Sequence, residues 1–322
     1  MKTLRLHGTG DLRLHEEPDP VPRADELLVR VTGVGLCGSD RHWFLEGGIG
    51  DALVDVPLVL GHEFAGVVAT GPRAGERVVL DPAVPCRRCD VCRSGLPHLC
   101  PEVRFAGHGT TDGALRTLAA WPAELAQLLP DSIPDVEAPL LEPLGVALHA
   151  VRLGHAGPGT TAAVVGCGPI GLLIVSALQA AGAAVVFASD PLPHRAQAAA
   201  ERGAVLEAAG GAGVDVAFEA AGEDAAVDDA IAAARPGGRV VLVGIPDRDH
   251  TTFTASVARR KGLTLSLCRR MKPEDLPHAV ALAADGRVEL ASLVTGRYGL
   301  DDAAEAFAAL VDRRGLKVVV EP

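Results

Sequence analysis

Short apolar runs alternate with glycine and proline in the first 145 residues of the chain. The clearest candidate strands are Glu26–Val31, Phe64–Ala69 and Arg77–Leu80. Strands of this length, bounded by turn-forming residues, are typical of β-rich domains. The pattern therefore predicts a β-rich domain over residues 1–145.

Beyond residue 145, apolar strands alternate with Ala-rich segments that have helical character. The predicted strands are Ala162–Val165, Ala184–Ala188, Val214–Glu219, Val240–Val243 and Leu263–Leu267, and the predicted helices include Pro169–Ala181 and Ala225–Ala234. Such alternation is typical of a parallel sheet covered by helices on both faces. It predicts a doubly wound α/β domain over residues 146–270.

The C-terminal segment has a different pattern from the α/β domain. Residues 273–322 predict two helices, Leu276–Ala284 and Ala303–Asp312, followed by a strand at Lys317–Val320. We expect this segment to pack on the first domain, so that residues 271–322 complete it.

Composition and charge restrict the class of function. The 322 residues are 48% apolar and 22% charged, which is typical of a soluble globular protein. The formal charge of −11 argues against nucleic acids and anionic membranes as partners, because both attract basic patches. The N-terminal residues lack the apolar region of a secretory signal, and no apolar run approaches the ~20 residues of a membrane span. We therefore expect a cytoplasmic protein.

A glycine-rich turn joins the first predicted α/β strand to the helix that follows it. Gly166, Gly168 and Gly171 form a G-x-G-x-x-G pattern, and Pro169 and Ile170 begin the helix. These glycines permit a tight turn and the close approach of a pyrophosphate, which the helix N-terminus attracts. The pattern predicts a dinucleotide site; the alternative is a glycine turn in a domain that binds no nucleotide.

An acidic residue at the end of the second α/β strand indicates which dinucleotide binds. Asp190 follows the strand segment AVVFAS. A carboxylate at this place accepts hydrogen bonds from the adenosine ribose and repels the 2′-phosphate of NADP. This favours NAD. Arg195 is expected to stack on the adenine or to pair with a phosphate.

Four of the seven cysteines are concentrated in one short segment. They are Cys86, Cys89, Cys92 and Cys100. Four thiolates suit a closed tetrahedral zinc site, which has no position for substrate and is therefore structural. Two disulfides and an iron–sulfur cluster are the alternatives.

A second set of metal-ligand types follows two apolar runs. Cys37 follows the first run, and the pair His62 and Glu63 follows the second. A thiolate, an imidazole and a carboxylate can hold a zinc ion whose fourth position receives water or substrate. Asp40 can orient the imidazole of His62. Beside a nucleotide fold, these ligands predict a zinc-dependent dehydrogenase.

With these motifs the chain resembles the zinc-dependent medium-chain dehydrogenases, and most closely their sorbitol (polyol) dehydrogenases. The matching segments, besides the four cysteines, are GLCGSDRHWF (35–44), LGHEFAGVV (60–68), LLEPLGVALHAV (140–151), VVGCGPIGL (164–172), GGRVVLVGIP (237–246) and GLKVVV (315–320). The resemblance implies a GroES-like catalytic domain, 1–145 completed by 271–322, and a Rossmann NAD-binding domain, 146–270. It also implies one catalytic and one structural zinc ion, NAD, and a homodimer or homotetramer.

The resemblance also assigns roles to single residues. It implies that Cys37 and His62 bind the catalytic zinc, with either Glu63 or Glu142 as the third ligand. Ser39 matches a hydroxyl that relays the alcohol proton, and His42 is a candidate for the next carrier or for a surface histidine.

Further residues match substrate- and cofactor-binding positions of the family. Arg270, or its neighbour Arg269, matches an arginine near the substrate, and Phe105 matches a residue of the substrate pocket or of the core. The backbone of three residues matches the segment that holds the nicotinamide carboxamide: Val243, Gly244 and Ile245.

The leading hypothesis is oxidation of a secondary hydroxyl of a polyol or sugar-like alcohol, with hydride transfer to NAD. The alternatives are a dehydrogenase of threonine, of simple secondary alcohols or of an aminocyclitol, and a catalytically silent nucleotide-binding protein. Relative to the family, the chain is shortened after Gly71 and between Gly203 and Gly213, and Trp43 stands where tyrosine is common.

Overall fold

The computed structural model describes residues 1–50, 52–53, 57–207, 213–247 and 249–322. Its strands, in chain order, are β1 (Lys2–Gly8), β2 (Asp11–Glu16), β3 (Glu26–Gly35), β4 (Gly48–Ile49), β5 (Ala52–Leu53), β6 (Leu58–Val59), β7 (Glu63–Val68), β8 (Arg77–Leu80), β9 (Ala83–Val84), β10 (Arg104–Phe105), β11 (Leu118–Pro122), β12 (Ala126–Leu128), β13 (Thr161–Val165), β14 (Val185–Ser189), β15 (Val214–Glu219), β16 (Ala234–Leu242), β17 (Thr264–Leu267), β18 (Val294–Gly299) and β19 (Lys317–Glu321). The α-helices are α1 (Gly38–Glu46), α2 (Asp90–Arg93), α3 (Leu141–Leu153), α4 (Pro169–Ala180), α5 (Pro193–Glu201), α6 (Asp224–Ala233), α7 (Ala255–Lys261), α8 (Asp275–Ala284) and α9 (Ala303–Val311).

These elements form two compact units. The first contains Met1–Glu142, Lys272–Gly286 and Leu290–Pro322. The second contains Pro143–Met271 and Arg287–Glu289. Across the ranges given above, no helix is both long and apolar enough to cross a bilayer.

A mixed sheet is the framework of the first unit. Within the described chain it has seven strands, in the order β12-β8-β7-β3-β19-β18, with β11 paired to β3. Strands β3 and β7 are antiparallel, and Gly35 lies opposite Glu63. Strand β19 pairs with the same end of β3, where Val319 lies opposite Gly35. The C-terminal strand is therefore a neighbour of the strand end that precedes Cys37.

Apolar side chains hold this sheet against α1 and α9. The rings of Phe64 and Trp121 meet edge to face, with centroids 5.8 Å apart. Those of Phe44 and Phe307, on the two helices, lie 5.0 Å apart. Burial of one such side chain contributes about 1.5–3 kcal/mol. This core gives the residues at the end of β3 a rigid support.

A parallel sheet is the framework of the second unit. Over the described residues it has five strands, in the order β14-β13-β15-β16-β17. All four strand pairings are parallel. The helices α4 and α5 contact β14, whereas α6 and α7 contact β16. The strand order reverses at β13, and ligands of such sheets bind where the order reverses, at the carboxyl ends of the strands.

The first and last residues of most predicted helices and strands agree with the structure to within two positions, and β8 and β15 have the predicted bounds. The largest difference is β16, which begins at Ala234 and not at Val240. Ala234 has ψ 138 and has left the helix that was predicted to include it, because Pro236 cannot continue a helix. The shortening predicted between Gly203 and Gly213 involves residues 208–212, which lie outside the described residues.

Candidate active site

Two strand ends bring three of the expected metal ligands together. Cys37 lies just beyond the end of β3 and caps the N-terminus of α1. His62 immediately precedes β7, whose first residue is Glu63. Because Gly35 and Glu63 are paired across β3 and β7, the ligand atoms of Cys37, His62 and Glu63 lie within 4.8 Å of one another.

Asp40 connects the two segments that carry these ligands. Its Oδ2 accepts a hydrogen bond from the backbone N–H of Cys37 at 2.9 Å, and its Oδ1 accepts one from the N–H of Gly61 at 3.3 Å. Oδ1 lies 3.8 Å from Nδ1 of His62, which is too long for a direct hydrogen bond. Asp40 therefore makes no direct hydrogen bond to the imidazole of His62, and it positions this residue through the backbone of Gly61.

Two backbone segments cross closely next to His62. Gly61 has φ +90, and a Cβ on Gly113 would overlap the carbonyl oxygen of Gly61. At this crossing, the N–H of Ala114 donates to that oxygen at 2.8 Å. The ring centroid of Phe105 lies 5.3 Å from that of the His62 imidazole.

The electrostatics of the site favour a cation. Burial disfavours protonation of His62, but Asp40, Cys37 and Glu142 together outweigh it and raise the pKa to about 10. Burial, together with the charges of Glu63 and Asp81, raises the pKa of Glu142 to about 8 although His62 opposes this. Glu142 therefore interacts electrostatically with both His62 and Glu63. Thiolate, imidazole and carboxylate oxygen form a donor set that suits zinc.

A buried lysine lies against one of these carboxylates. Nζ of Lys317 donates to Oε1 of Glu63 at 2.6 Å and to the carbonyl oxygen of Leu36 at 2.9 Å. Burial opposes the charged form of Lys317, but Glu63 and Cys37 raise its pKa above the usual value. This residue was not among those predicted from the sequence. The signal was present as a lysine at the start of an apolar strand, KVVV.

The expected proton-relay residues lie on α1. Ser39 is half-buried near the N-terminus of the helix, and His42 is 6% exposed. The buried position excludes the alternative of a surface histidine. Nδ1 of His42 lies 3.1 Å from Oε1 of Glu46, one turn further along the helix. Trp43, also buried, meets the ring of His108 edge to face at 5.2 Å.

The four clustered cysteines form a second donor set. Their sulfur atoms lie within 4.8 Å of one another, and no disulfide joins any two of them. Backbone N–H groups of Cys86 and Cys92 donate to the sulfurs of Cys100 and Cys89 at 3.3 and 3.4 Å. Hydrogen bonds from backbone N–H groups lower the pKa of Cys86 to about 7. This arrangement fits a closed zinc site and leaves no disulfide framework.

The glycine turn of the second unit leaves room for a pyrophosphate. Gly166 follows β13 and has φ +92, and a Cβ on Gly171 would overlap its carbonyl oxygen. Gly168 precedes α4, which begins at Pro169 and continues with Ile170. A Cβ on Gly168 would find only Nη1 of Arg195, at 3.6 Å. The space above the helix N-terminus is therefore open to an anion.

Asp190 is held beside this turn. Its Oδ2 accepts a hydrogen bond from the N–H of Cys167 at 2.7 Å, and its Oδ1 accepts one from the N–H of Leu192 at 2.8 Å. A carboxylate oxygen has two lone pairs. Each oxygen of Asp190 therefore retains one lone pair that can accept a hydrogen bond from a ribose hydroxyl. These residues fit a dinucleotide.

A buried carboxylate orders the loops after β15 and β16. Oε1 of Glu219 accepts hydrogen bonds from the N–H groups of Ala221 and Gly222, at 2.7 and 2.5 Å. A Cβ on Gly244 would overlap the nitrogen of Gly222. Strand β16 ends at Leu242, so Val243, Gly244 and Ile245 lie in the second of these loops. Glu219 was also missed, although an acidic residue ends its apolar strand, VDVAFE.

Comparisons with known proteins identify the family of the chain. The model of the alcohol dehydrogenase GroES-like domain matches residues 23–131, and that of the zinc-binding dehydrogenases matches residues 169–285. The chain is 33% identical to a sorbitol dehydrogenase of Bacillus subtilis (strain 168) over 344 residues, covering 100% of this chain and 97% of that protein. It belongs to the zinc-dependent medium-chain dehydrogenases.

Solved structures of this superfamily superpose over the whole chain. L-idonate 5-dehydrogenase from Escherichia coli str. K-12 substr. MG1655 has a TM-score of 0.93 and 26% identity, covering 100% of this chain and 98% of its own. The 2R,3R-butanediol dehydrogenase from Bacillus subtilis has a TM-score of 0.89 and 31% identity, covering 100% and 99%. The predicted family, the fold class and an oxidoreductase that uses zinc and NAD(P) are confirmed.

The two candidate substrate arginines of this dehydrogenase lie in the second unit. Both follow β17; Arg269 is exposed, whereas Arg270 is half-buried and has φ 56. A left-handed conformation is uncommon for a residue other than glycine. The half-buried position favours Arg270 as the residue with a defined orientation.

Proposed function

We propose that this dehydrogenase oxidises a secondary hydroxyl of a polyol or sugar-like alcohol and transfers the hydride to NAD. The observation that carries the proposal is the cluster of Cys37, His62 and Glu63, together with the buried Glu142, which interacts electrostatically with His62 and Glu63. The relatives named for sorbitol, L-idonate and 2R,3R-butanediol support the substrate class, because each of these compounds has adjacent hydroxyl groups.

In this proposal, Cys37, His62 and either Glu63 or Glu142 hold the catalytic zinc, and the four clustered cysteines hold the structural one. The catalytic ion supplies a Lewis acid that lowers the pKa of the alcohol. Ser39 accepts the proton of the alcohol and His42 carries it onward. Glu46 is the next acceptor, because its carboxylate is 42% exposed and lies against Nδ1 of His42.

The second unit is the proposed NAD-binding domain. The glycine turn, with Pro169 and Ile170, receives the pyrophosphate, and Asp190 binds the adenosine ribose. Nη1 of Arg195 lies 3.6 Å from the position of a Cβ on Gly168, which supports a contact with a phosphate besides stacking on the adenine. The backbone of Val243, Gly244 and Ile245 holds the carboxamide of the nicotinamide, and Arg270 contacts the substrate. The first unit, with its C-terminal segments, is the proposed catalytic domain.

We further propose a cytoplasmic homo-oligomer, a dimer or a tetramer. In support, β17 lies at the edge of the five-stranded sheet of described residues, and its Leu267 is 78% exposed. An edge strand with an exposed apolar side chain favours pairing with another chain. Light scattering should give a mass of two or four chains, and Leu267→Lys should lower it. A monomeric wild-type protein would contradict the proposal.

The substrate class is tested by comparing kcat/KM with NAD for sorbitol, xylitol, 2,3-butanediol and 2-propanol. A monoalcohol leaves buried polar partners unsatisfied, at about 1–3 kcal/mol each, so we expect at least one polyol to exceed 2-propanol by about tenfold. Arg270→Ala should reduce the values for polyols, whereas Arg269→Ala is the exposed control.

A simple secondary alcohol is the competing substrate. Phe105 favours it, because its apolar ring lies near the imidazole of His62. If 2-propanol matches every polyol and Arg270→Ala changes nothing, this assignment replaces ours. A protein that binds NADH but oxidises none of the alcohols would be catalytically silent.

A further inference from the structure

Lys317 and Glu63 form an ion pair that is almost fully shielded from water. The side chains are 3% and 1% exposed. Besides donating to Oε1, Nζ of Lys317 lies 2.5 Å from Oε2, so the ammonium group faces both carboxylate oxygens. Its remaining polar contact is the carbonyl of Leu36, directly before Cys37.

The backbone at Gly35 leaves room for this ion pair. A Cβ on Gly35 would overlap Oε2 of Glu63 and would lie 3.1 Å from Cε of Lys317. Gly35 is opposite Glu63 on one side and opposite Val319 of β19 on the other. The missing side chain at this crossing allows the lysine to reach the carboxylate from the neighbouring strand.

The pair also changes the charge of the metal site. With Cys37, Glu63 and Glu142 all ionised, these three groups carry one negative charge more than a divalent cation neutralises. Such an excess is costly in a buried site. The ammonium group of Lys317 balances it. Because the ammonium donates to Oε1 of Glu63 and lies 2.5 Å from Oε2, its positive charge also opposes the binding of a metal cation to this carboxylate.

We propose that Lys317 is a positioning residue that restrains Glu63 beside the catalytic metal and prevents Glu63 and Glu142 from binding it together. One coordination position is thereby kept for the alcohol. The inference rests on the proposed function, in which Cys37, His62 and Glu63 or Glu142 hold that metal. It adds to that function a reason why one of two carboxylates, and not both, serves as ligand.

The test measures zinc affinity by competition with a chelator, in full-length protein and without substrate. In Lys317→Met, Glu63 loses its competing cation and the site gains one negative charge, so we expect zinc to bind about tenfold more tightly, which corresponds to about 1.4 kcal/mol. A lysine that only stabilises the fold gives the opposite result, because a loosened site binds zinc more weakly. Unchanged or weaker affinity therefore overturns the proposal.

The visible spectrum of the cobalt-substituted protein gives a second readout. If Glu63 and Glu142 both bind in Lys317→Met, the coordination number rises and the ligand-field bands should weaken and shift. Lys317→Arg retains the charge and should restore the wild-type spectrum and affinity. A Lys317→Met spectrum identical to that of the wild type would contradict the proposal.

Two control variants test whether the gain in zinc affinity is specific to the pair of Lys317 and Glu63. Lys261→Met removes a lysine that donates to the carbonyls of Ile231, Ala232 and Ala234 in the second unit, and it should leave zinc affinity unchanged. Glu63→Gln combined with Lys317→Met should abolish the gain in affinity.

If Lys317→Met does not fold, Lys317→Gln gives the same comparison, since it retains a donor for Leu36 without the charge. None of these measurements requires turnover. A failure of this proposal can therefore be distinguished from a failure of the proposed function, which the alcohol assay tests.

Discussion

The fully buried carboxylate of Asp40 accepts a hydrogen bond from the backbone N–H of Cys37 at 2.9 Å. Its other oxygen accepts one from Gly61, the residue before His62. One side chain thereby sets the distance between a thiolate and an imidazole that are far apart in the sequence. The metal ligands depend on Asp40 although it is not one of them.

Asp40→Ala should weaken zinc binding at the open site by about 10–100-fold, as expected when a group that orients ligands is removed. It also leaves two buried N–H groups without acceptors, at about 1–3 kcal/mol each, so Tm should fall. Zinc affinity and thermal unfolding are measured together. Asp301→Ala, which removes an exposed pair with Lys2, is the control and should change neither quantity. Wild-type zinc affinity in Asp40→Ala would show that the bridge does not position the ligands.

A chelator should remove the two proposed zinc ions one after the other. The open site, with three protein ligands, should lose its metal before the site of four cysteines does. Metal analysis of freshly purified protein should give two zinc ions per chain, and activity should be lost with the first. Purified protein that contains one zinc ion or none would contradict the proposal of two zinc ions per chain.

Asp190→Ala should reduce the preference for NAD over NADP. The carboxylate repels a 2′-phosphate and accepts from the ribose, a contribution of about 1–3 kcal/mol, or roughly tenfold or more in the ratio of kcat/KM. The ratio is the useful quantity, because loss of the bonds to Cys167 and Leu192 weakens both cofactors. Arg195→Ala should lower kcat/KM for both cofactors if the guanidinium contacts the pyrophosphate. A wild-type enzyme that prefers NADPH would refute the assignment of Asp190.

Much of the fold was predictable because it is encoded in local patterns. Strands β8 and β15 are apolar runs with polar residues at both ends, and their bounds agree with the prediction. Helix α3 was not predicted. Its sequence, LEPLGVALHAVRL, is apolar on nearly all sides, so no amphipathic period marks it.

The metal-ligand types were also predictable, since each follows a recognisable run, but their supporting contacts were not. Lys317 is 254 residues from Glu63, and only the pairing of β3 with β7 and β19 brings them together. Glu219 is close in sequence to the N–H groups that it accepts from. Even so, no propensity distinguishes a carboxylate that turns back onto its own loop from one that faces solvent.

Glu219→Ala should weaken NADH binding by about tenfold. Without the carboxylate, the N–H groups of Ala221 and Gly222 are left unsatisfied, and the contact between Gly222 and Gly244 loosens. Because that contact orders the proposed nicotinamide loop, the dissociation constant of NADH should rise while zinc content stays constant. NADH fluorescence gives the constant, and Glu201→Ala, on the exposed face of α5, is the control. Equal NADH affinity in the wild type and Glu219→Ala would remove Glu219 from the cofactor site.

The second unit should owe part of its acid stability to Asp215. Its Oδ2 accepts from the N–H and Oγ1 of Thr161 at 2.8 Å each, and its Oδ1 accepts from Nε of Arg235 at 2.8 Å. The hydrogen bonds from Thr161, followed by that from Arg235, lower the pKa of Asp215 from 3.8 to about 2. A lowered pKa means that the folded state favours the ionised carboxylate more strongly than the unfolded chain does.

The stabilisation is therefore complete above the unfolded pKa and is lost as the pH falls through about 4 towards about 2. Urea unfolding of the wild type and Asp215→Asn should differ by a constant free energy above about pH 5, and the difference should shrink at about pH 4 and below. The same comparison with Asp25→Asn, at an exposed aspartate, removes contributions that are not specific to this site. A wild-type advantage that stays constant down to pH ~3 would mean that the bonds to Thr161 and Arg235 do not depend on the charge of Asp215.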